Sequence, residues 1–180
     1  MWHSCDKEKE IRYSQIVNSK RIPERLFALR KAYDLALVEM SFITENLLIR
    51  ATLNLWEVGK RQLSLDGLII ISSCFGVSVN WLCGMSDIPY TEDSLKIARK
   101  TYLNGKEKTF GDYKITDEFL SSYPLEVQAN IIVLLKNYEM YENTIKKPKR
   151  LKKRIDNIIK AITEKTPVCK IRKSVQIEYY

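Results

Sequence analysis

The chain has 180 residues, of which 45% are hydrophobic and 29% charged, a balance that excludes a collagen-like or wholly disordered chain and leaves room for one large or two small cores. Lys and Arg outnumber Asp and Glu by 30 to 22, for a net charge of +8 and a pI near 9.2. That excess favours polyanionic partners, nucleic acid before anionic membrane, because cationic side chains displace counterions condensed on phosphates.

Residues 1–20 mix polar with isolated apolar residues and read as an N-terminal arm. They lack the apolar run of a signal peptide, and no stretch approaches the length of a membrane span, so a cytoplasmic location is expected. From Pro23 a helical pattern runs to residue 33 through Leu26, Leu29, Arg30 and Tyr33, with proline in the first turn where its missing N–H costs nothing. A second helix is predicted through Val38, Met40 and Ile43. A third runs through Leu48, Thr52, Leu53 and Trp56 and ends at Gly59, which suits a left-handed cap. Ser64 is the natural N-cap of a fourth, with Leu65, Leu68, Ile69, Ile71, Ser72 and Phe75 as its buried face up to Gly76. Ser78 caps a fifth, which carries Val79, Trp81 and Leu82 and stops at Gly84.

Acidic and small residues around Pro89 suggest the edge of a compact unit, so residues 21–88 and 89–180 are read as two modules. In the second, residues 93–103 look helical and NGKEKTFGDYK reads as a loop or hairpin. LEVQANIIVLLKNYEMYENTI, after Pro124, is a long helix with Leu125, Ile131, Leu134, Leu135 and Tyr138 on one side. That face is either a dimerising surface or the core of the second module. The run KKPKRLKKR, residues 146–154, has no acid and is either a solvated linker or a second phosphate contact. RIDNIIKAITEK repeats Ile at helical spacing, and the tail from Val168 alternates as a terminal strand or an ordered arm would.

Chemistry-bearing residues are sparse. Cys5, Cys74, Cys83 and Cys169 are scattered without a CxxC pair, and His3 is the only histidine. Neither a metal site nor a disulfide framework is expected, and histidine-based catalysis has almost nothing to use. No P-loop or dinucleotide-binding glycine pattern occurs, and a tyrosine recombinase would want a His-containing basic constellation. The expectation is a protein that is no enzyme and carries no cofactor.

Three segments, RLFALRKAYDL, LNLWEVGKRQLSLDGLI and FGVSVNWLCGMSD, resemble in their order and spacing the Cro and phage-repressor (XRE) class of helix-turn-helix domains, across residues 25–87, about a third of the chain. The resemblance implies a mainly α fold, a five-helix Cro/repressor-like helix-turn-helix domain followed by a smaller helical C-terminal module. It also implies an architectural ion pair between Arg30 and Glu57 and a third helix that reads the major groove. Family positions map base reading onto Arg50, which has a guanidinium able to grip guanine O6 and N7, and onto Ala51 and Leu55, which can touch thymine methyls or sugar. Thr52, Asn54, Lys60 and Arg61 fall where the family contacts sugar-phosphate. The plain alternatives are a locally satisfied helix residue for Thr52 and a solvated turn for Lys60 and Arg61.

Departures from the family pattern stand at Ala36 and Leu37, usually Thr-Gln, at Asp34, usually Gly, at Val58, usually Asn, and at Leu63, usually Pro. Helices two and three are also about two residues further apart. Leu47, Leu48, Ile49 and Leu55 make the reading surface unusually apolar, and Ile70 takes a normally polar place on the fourth helix. The expected function is a sequence-specific regulator of duplex DNA, of phage or mobile-element type, repressing as a dimer or higher oligomer with a regulatory protein as a further partner. The alternative is a protein-interaction module built on a degenerate helix-turn-helix fold.

Overall fold

The structure, a computed structural model, describes residues 21–110 and 113–142. The arm, the basic run 146–154, the isoleucine-rich stretch after it and the tail lie outside the described residues. Among those described are eight α-helices and one two-stranded sheet. They are α1 (Arg21–Ala32), α2 (Leu37–Ile43), α3 (Arg50–Glu57), α4 (Leu65–Phe75), α5 (Val79–Leu82), α6 (Glu92–Leu103), β1 (Lys108–Phe110), β2 (Tyr113–Ile115), α7 (Asp117–Ser121) and α8 (Leu125–Glu142). No helix among them is long and apolar enough to cross a membrane.

Short helices are marginal in isolation, so each is held by its caps and by the face it buries. α1 buries Leu26 and Leu29 one turn apart, and Tyr33 follows on the same side. The helix ends where Asp34 turns left-handed at φ 50° and Leu35 N–H donates back to the Arg30 carbonyl at 3.0 Å. Ser64 Oγ caps α4 by accepting from Gly67 N–H at 3.1 Å, and Gly76 closes it at φ 70°. The buried face of α4 comprises Gly67, Ile71, Ser72, Cys74 and Phe75, whereas Leu65 and Ile69, expected inside, are exposed. Each lies two residues, about 200° of helix, from Gly67, so burying one set exposes the other. Ser78 takes an extended cap conformation before α5, yet its side chain makes no cap hydrogen bond, and its N–H donates to the Pro89 carbonyl at 2.7 Å.

Residues on either side of 88/89 share one core. Tyr33 and Tyr90 join hydroxyls at 3.0 Å, Ser94 Oγ donates to the Gly76 carbonyl at 2.8 Å, and α6 packs along α4. A single buried cluster runs from Leu26 to Leu135. Arg99, inside it, donates to Asp117 Oδ1, Gln128 Oε1 and Glu92 Oε1 at 2.8, 2.5 and 3.3 Å, tying α6 to α7 and α8. The hairpin pairs antiparallel with Thr109 opposite Lys114, and Phe110 meets Tyr138 edge-on at 4.8 Å. Beside it Tyr102 donates to Glu139 Oε1 at 2.8 Å, and Lys108 reaches both Glu139 oxygens. Burial first, and that carboxylate second, push the Tyr102 hydroxyl far above the ordinary tyrosine range.

Of the two readings open for the long apolar helix, a dimerising surface and a core, its packing selects the core. Every residue from 127 to 137 of α8 is buried, and the helix packs against α2, α4, α6 and α7. Burial leaves three polar atoms of this stretch, Lys136 Nζ, Asn130 Oδ1 and Asn137 Oδ1, with no hydrogen-bond partner among the described residues. The Cys74 thiol of α4 lies beside the amine; burial pushes that thiol up, and the Lys136 charge opposes the shift. A buried polar group without a partner costs about 1 to 3 kcal/mol. Lys136→Met keeps the side chain's length and removes the amine, so it is expected to raise stability by about that amount. A urea titration of the full chain checks this, and a lowered midpoint would show that the amine is satisfied in solution.

Candidate nucleic-acid interface

The segment before α3 is set by buried hydroxyls rather than by glycine. Six residues separate α2 from α3, more than the three or four usual in a helix-turn-helix. Glu45 and Asn46 absorb the extra length in left-handed conformations, at φ 54° and 60°. Thr44 is fully buried and its Oγ1 donates to the Ser41 carbonyl at 2.8 Å, while Ser41 Oγ donates to the Leu48 carbonyl at 2.6 Å. Leu48, expected within the helix, is the buried anchor of this turn, and α3 begins only at Arg50 after an uncapped Ile49. The start of α2 lacks a side-chain cap at Ala36, but Glu39 Oε2 accepts the Ala36 N–H at 2.6 Å and satisfies it from below.

The back of α3 is fixed by Leu53 and Trp56, both buried, and by a fork between Arg30 and Glu57. Arg30 Nε and Nη2 donate to the two Glu57 oxygens at 2.7 and 2.8 Å, and Nη1 donates to the Leu35 carbonyl at 3.0 Å. Side-chain exposures of 12% and 5% shield this pair from water, so it ties α1 to the end of α3 with directional bonds. The C-terminus closes through Gly59 at φ 68°, with the N–H groups of Lys60 and Arg61 both donating to the Leu55 carbonyl.

With its back held, α3 turns Arg50, Ala51, Asn54 and Leu55 outward, and all four are exposed. Thr52 is half-buried, on the flank of that face. Lys60 and Arg61 are exposed on the turn towards α4. None of the three cations enters an ion pair among the described residues, and Glu57, the one carboxylate of α3, is held by Arg30. Leu47 and Ile49, on the approach to α3, are exposed, as are Val38 and Phe42 on α2 and Val58 beyond the helix. Val38, read with Met40 and Ile43 as one helical pattern, is exposed together with Phe42 one turn on: both lie two residues, about 200° of helix, from Met40, and α2 buries Met40 and Ile43. Ile70 is partly buried against the core, which accounts for its apolar character at a normally polar position.

No protein-family model, curated protein or solved structure matches the chain. What the site can do therefore rests on its own chemistry. An open groove borders the far end of α3, lined by Pro23, Phe27, Trp56, Val58, Leu63 and Cys83. Trp56 Nε1 is buried there without a hydrogen-bond partner among the described residues, and burial pushes the Cys83 thiol up. The described residues include no group of His, Cys, Asp and Glu arranged to hold a metal ion. The exposed chemistry of α3 is thus one guanidinium, one carboxamide and several aliphatic groups, flanked by two further cations.

Proposed function

We propose that the chain is a sequence-specific regulator of duplex DNA with α3 as its reading helix, a repressor that binds as a dimer or higher oligomer. The observation that carries this reading is the exposed face of α3, where Arg50, Ala51, Asn54 and Leu55 stand free while Leu53, Trp56 and the Arg30–Glu57 fork hold the opposite side. A helix so presented, short and rigidly backed, fits the width of a major groove. Lys60 and Arg61 lie where they would meet phosphates next to it.

The resemblance to Cro and phage repressors adds weight to the proposal. Helices α1 to α5 follow in the order that family requires, and Asp34 adopts the left-handed conformation expected of the glycine it replaces. Because α8 is spent in the core, pairing of two copies would use another surface. A second reading, docking of a protein partner, is favoured by the exposed Val38, Phe42 and Leu47 beside the same helix.

Binding to a pool of randomised duplexes at two salt concentrations tests the proposal. Enrichment of a motif with two half-sites and affinity that falls steeply with salt are the expected results. Failure to bind any duplex would transfer the surface to the protein-docking reading. Within the enriched motif, Arg50→Ala is expected to cost about 1 to 3 kcal/mol and to relax preference at one base pair. Lys60→Ala should weaken all sequences alike and flatten the salt dependence by about one charge. Equal, small effects from both variants would remove α3 from the reading role.

A further inference from the structure

The groove at the far end of α3 lies between the start of α1, the turn that follows α3, and α4, and has a volume of about 810 Å³. That size is typical of small-molecule sites, which are mostly apolar with a few placed polar groups. Leu63 and Leu68 form part of the wall, and Phe27 and Val58 line it while remaining 46% and 55% exposed. Large apolar side chains left open to water on one concave surface mark a contact site, whereas scattered ones need no explanation. The indole of Trp56 joins the lining, its six-membered ring pressed so closely under α4 that a Cβ on Gly67 would come within 2.5 Å of it.

The charges around the groove select what can enter. Glu57 is occupied by Arg30. Arg61, on the lining, has no ion pair among the described residues, and neither has Lys31, whose Nζ stands 5.4 Å from the Phe27 ring centroid. Glu24, on the first turn of α1, is the carboxylate that opposes these two cations, and it does not pair with Arg61. The indole N–H, buried without a partner among the described residues, is donor-only and adds to the demand for an acceptor. We propose that this groove is an effector site for a small apolar anion, with an aromatic or aliphatic body against Phe27, Val58, Leu63 and Leu68 and a carboxylate or similar oxyanion at Arg61. Its effect on DNA rests on the proposed function. Arg61 is also placed to meet phosphate, and one guanidinium cannot serve ligand and backbone together, so ligand and duplex oppose each other reciprocally.

Two fluorescent probes test the site in the full chain without DNA: anilinonaphthalene sulfonate, and phenylnaphthylamine, which has the same aromatic body and no charge. Saturable binding is expected, with the sulfonate about tenfold tighter through its charge-assisted contact. Arg61→Gln should erase that difference. Val58→Trp, which fills the groove from an exposed position, should abolish binding of both probes. Alkylation of Cys83, half-buried on the lining, should slow in proportion to occupancy when read by peptide mass mapping. Equal affinity for the two probes, or binding that leaves Cys83 unprotected, would overturn the site. With the selected duplex present, the saturating sulfonate should weaken DNA binding severalfold in the parent and much less in Arg61→Gln. Probe binding that leaves duplex affinity unchanged would overturn the effector role. Absence of binding to any duplex would overturn the proposed function and that role together, while the titrations without DNA decide the groove by themselves.

Discussion

Glu57→Ala is expected to lower stability by about 3 to 5 kcal/mol, because it leaves the Arg30 guanidinium shielded from water with its partner gone. For a chain of this size each kcal/mol moves the melting temperature by about 2 to 4 °C, so a fall of roughly 6 to 20 °C should follow in a thermal scan. The loss comes from the unpaired charge more than from the bond itself. The double variant Arg30→Met with Glu57→Leu, which removes both charges and keeps apolar volume, should therefore recover most of the stability. It should not recover the placement of α3: without the fork the helix end is held only by Leu53, Trp56 and the Gly59 turn. A double variant as stable as the parent but weaker in binding would separate the two roles of the pair. A melting temperature unchanged in the single variant would show that the pair is solvated and contributes little.

Trp81→Ala should be as damaging, for a different reason. Trp81 is the largest fully buried side chain among the described residues and sits on α5, only four residues long, against α1 and α4. Truncation of a buried tryptophan costs about 3 to 5 kcal/mol through lost transfer energy and the cavity left behind. The Arg25 guanidinium stands 5.3 Å from the Trp81 ring centroid and donates to the Trp81 and Ser86 carbonyls and to Asp87. Removal of the ring takes away one face of that cation's environment while its polar contacts persist. Equilibrium unfolding in urea should show the full loss for Trp81→Ala and a much smaller one for Trp81→Phe. Similar losses from both would mean that the indole's size is not what α5 depends on.

Legibility along the chain follows how local each determinant is. Helices α1, α4 and α8 were readable because apolar residues recur at helical spacing after the start signals Pro23, Ser64 and Pro124. Ser64 capping α4 and Gly59 and Gly76 turning left-handed are events within a few residues, and the sequence signals for them are correspondingly sharp. The α2–α3 connection was harder. Leu48 continues the apolar period of α3, and nothing local says that Ser41 and Thr44 will bend the chain so that helix begins two residues later. The glycines Gly105 and Gly111 of NGKEKTFGDYK allowed a loop or a hairpin, and cross-strand pairing of β1 with β2, with Phe110 against Tyr138, selects the hairpin.

The face that a helix buries was the least legible feature. Residues of α4 are apolar on nearly all sides, so periodicity did not discriminate, and Leu65 and Ile69 were placed inside although they are exposed. α8 raised the same difficulty at greater scale: an excess of Ile and Leu is consistent with a dimer surface or with burial within one chain. Contacts with α2, α4, α6 and α7 select burial, and carry the core across the point where composition suggested a boundary. For α3 the candidate reading residues follow from a resemblance, while their shared exposure and the shielding of Arg30 and Glu57 depend on how α1 and α3 pack.

By itself the sequence determined a mainly helical chain of basic charge, the positions of its longer helices, and the Ser64 and Gly76 ends of α4, because propensity, period and turn chemistry act over a few residues. Only the tertiary structure decided that α8 lies in the core, that Leu65 and Ile69 face outward, and that Arg50, Ala51, Asn54 and Leu55 form one exposed surface. Those outcomes are set by contacts between residues far apart in the chain, and such contacts exist only once the helices have found their neighbours.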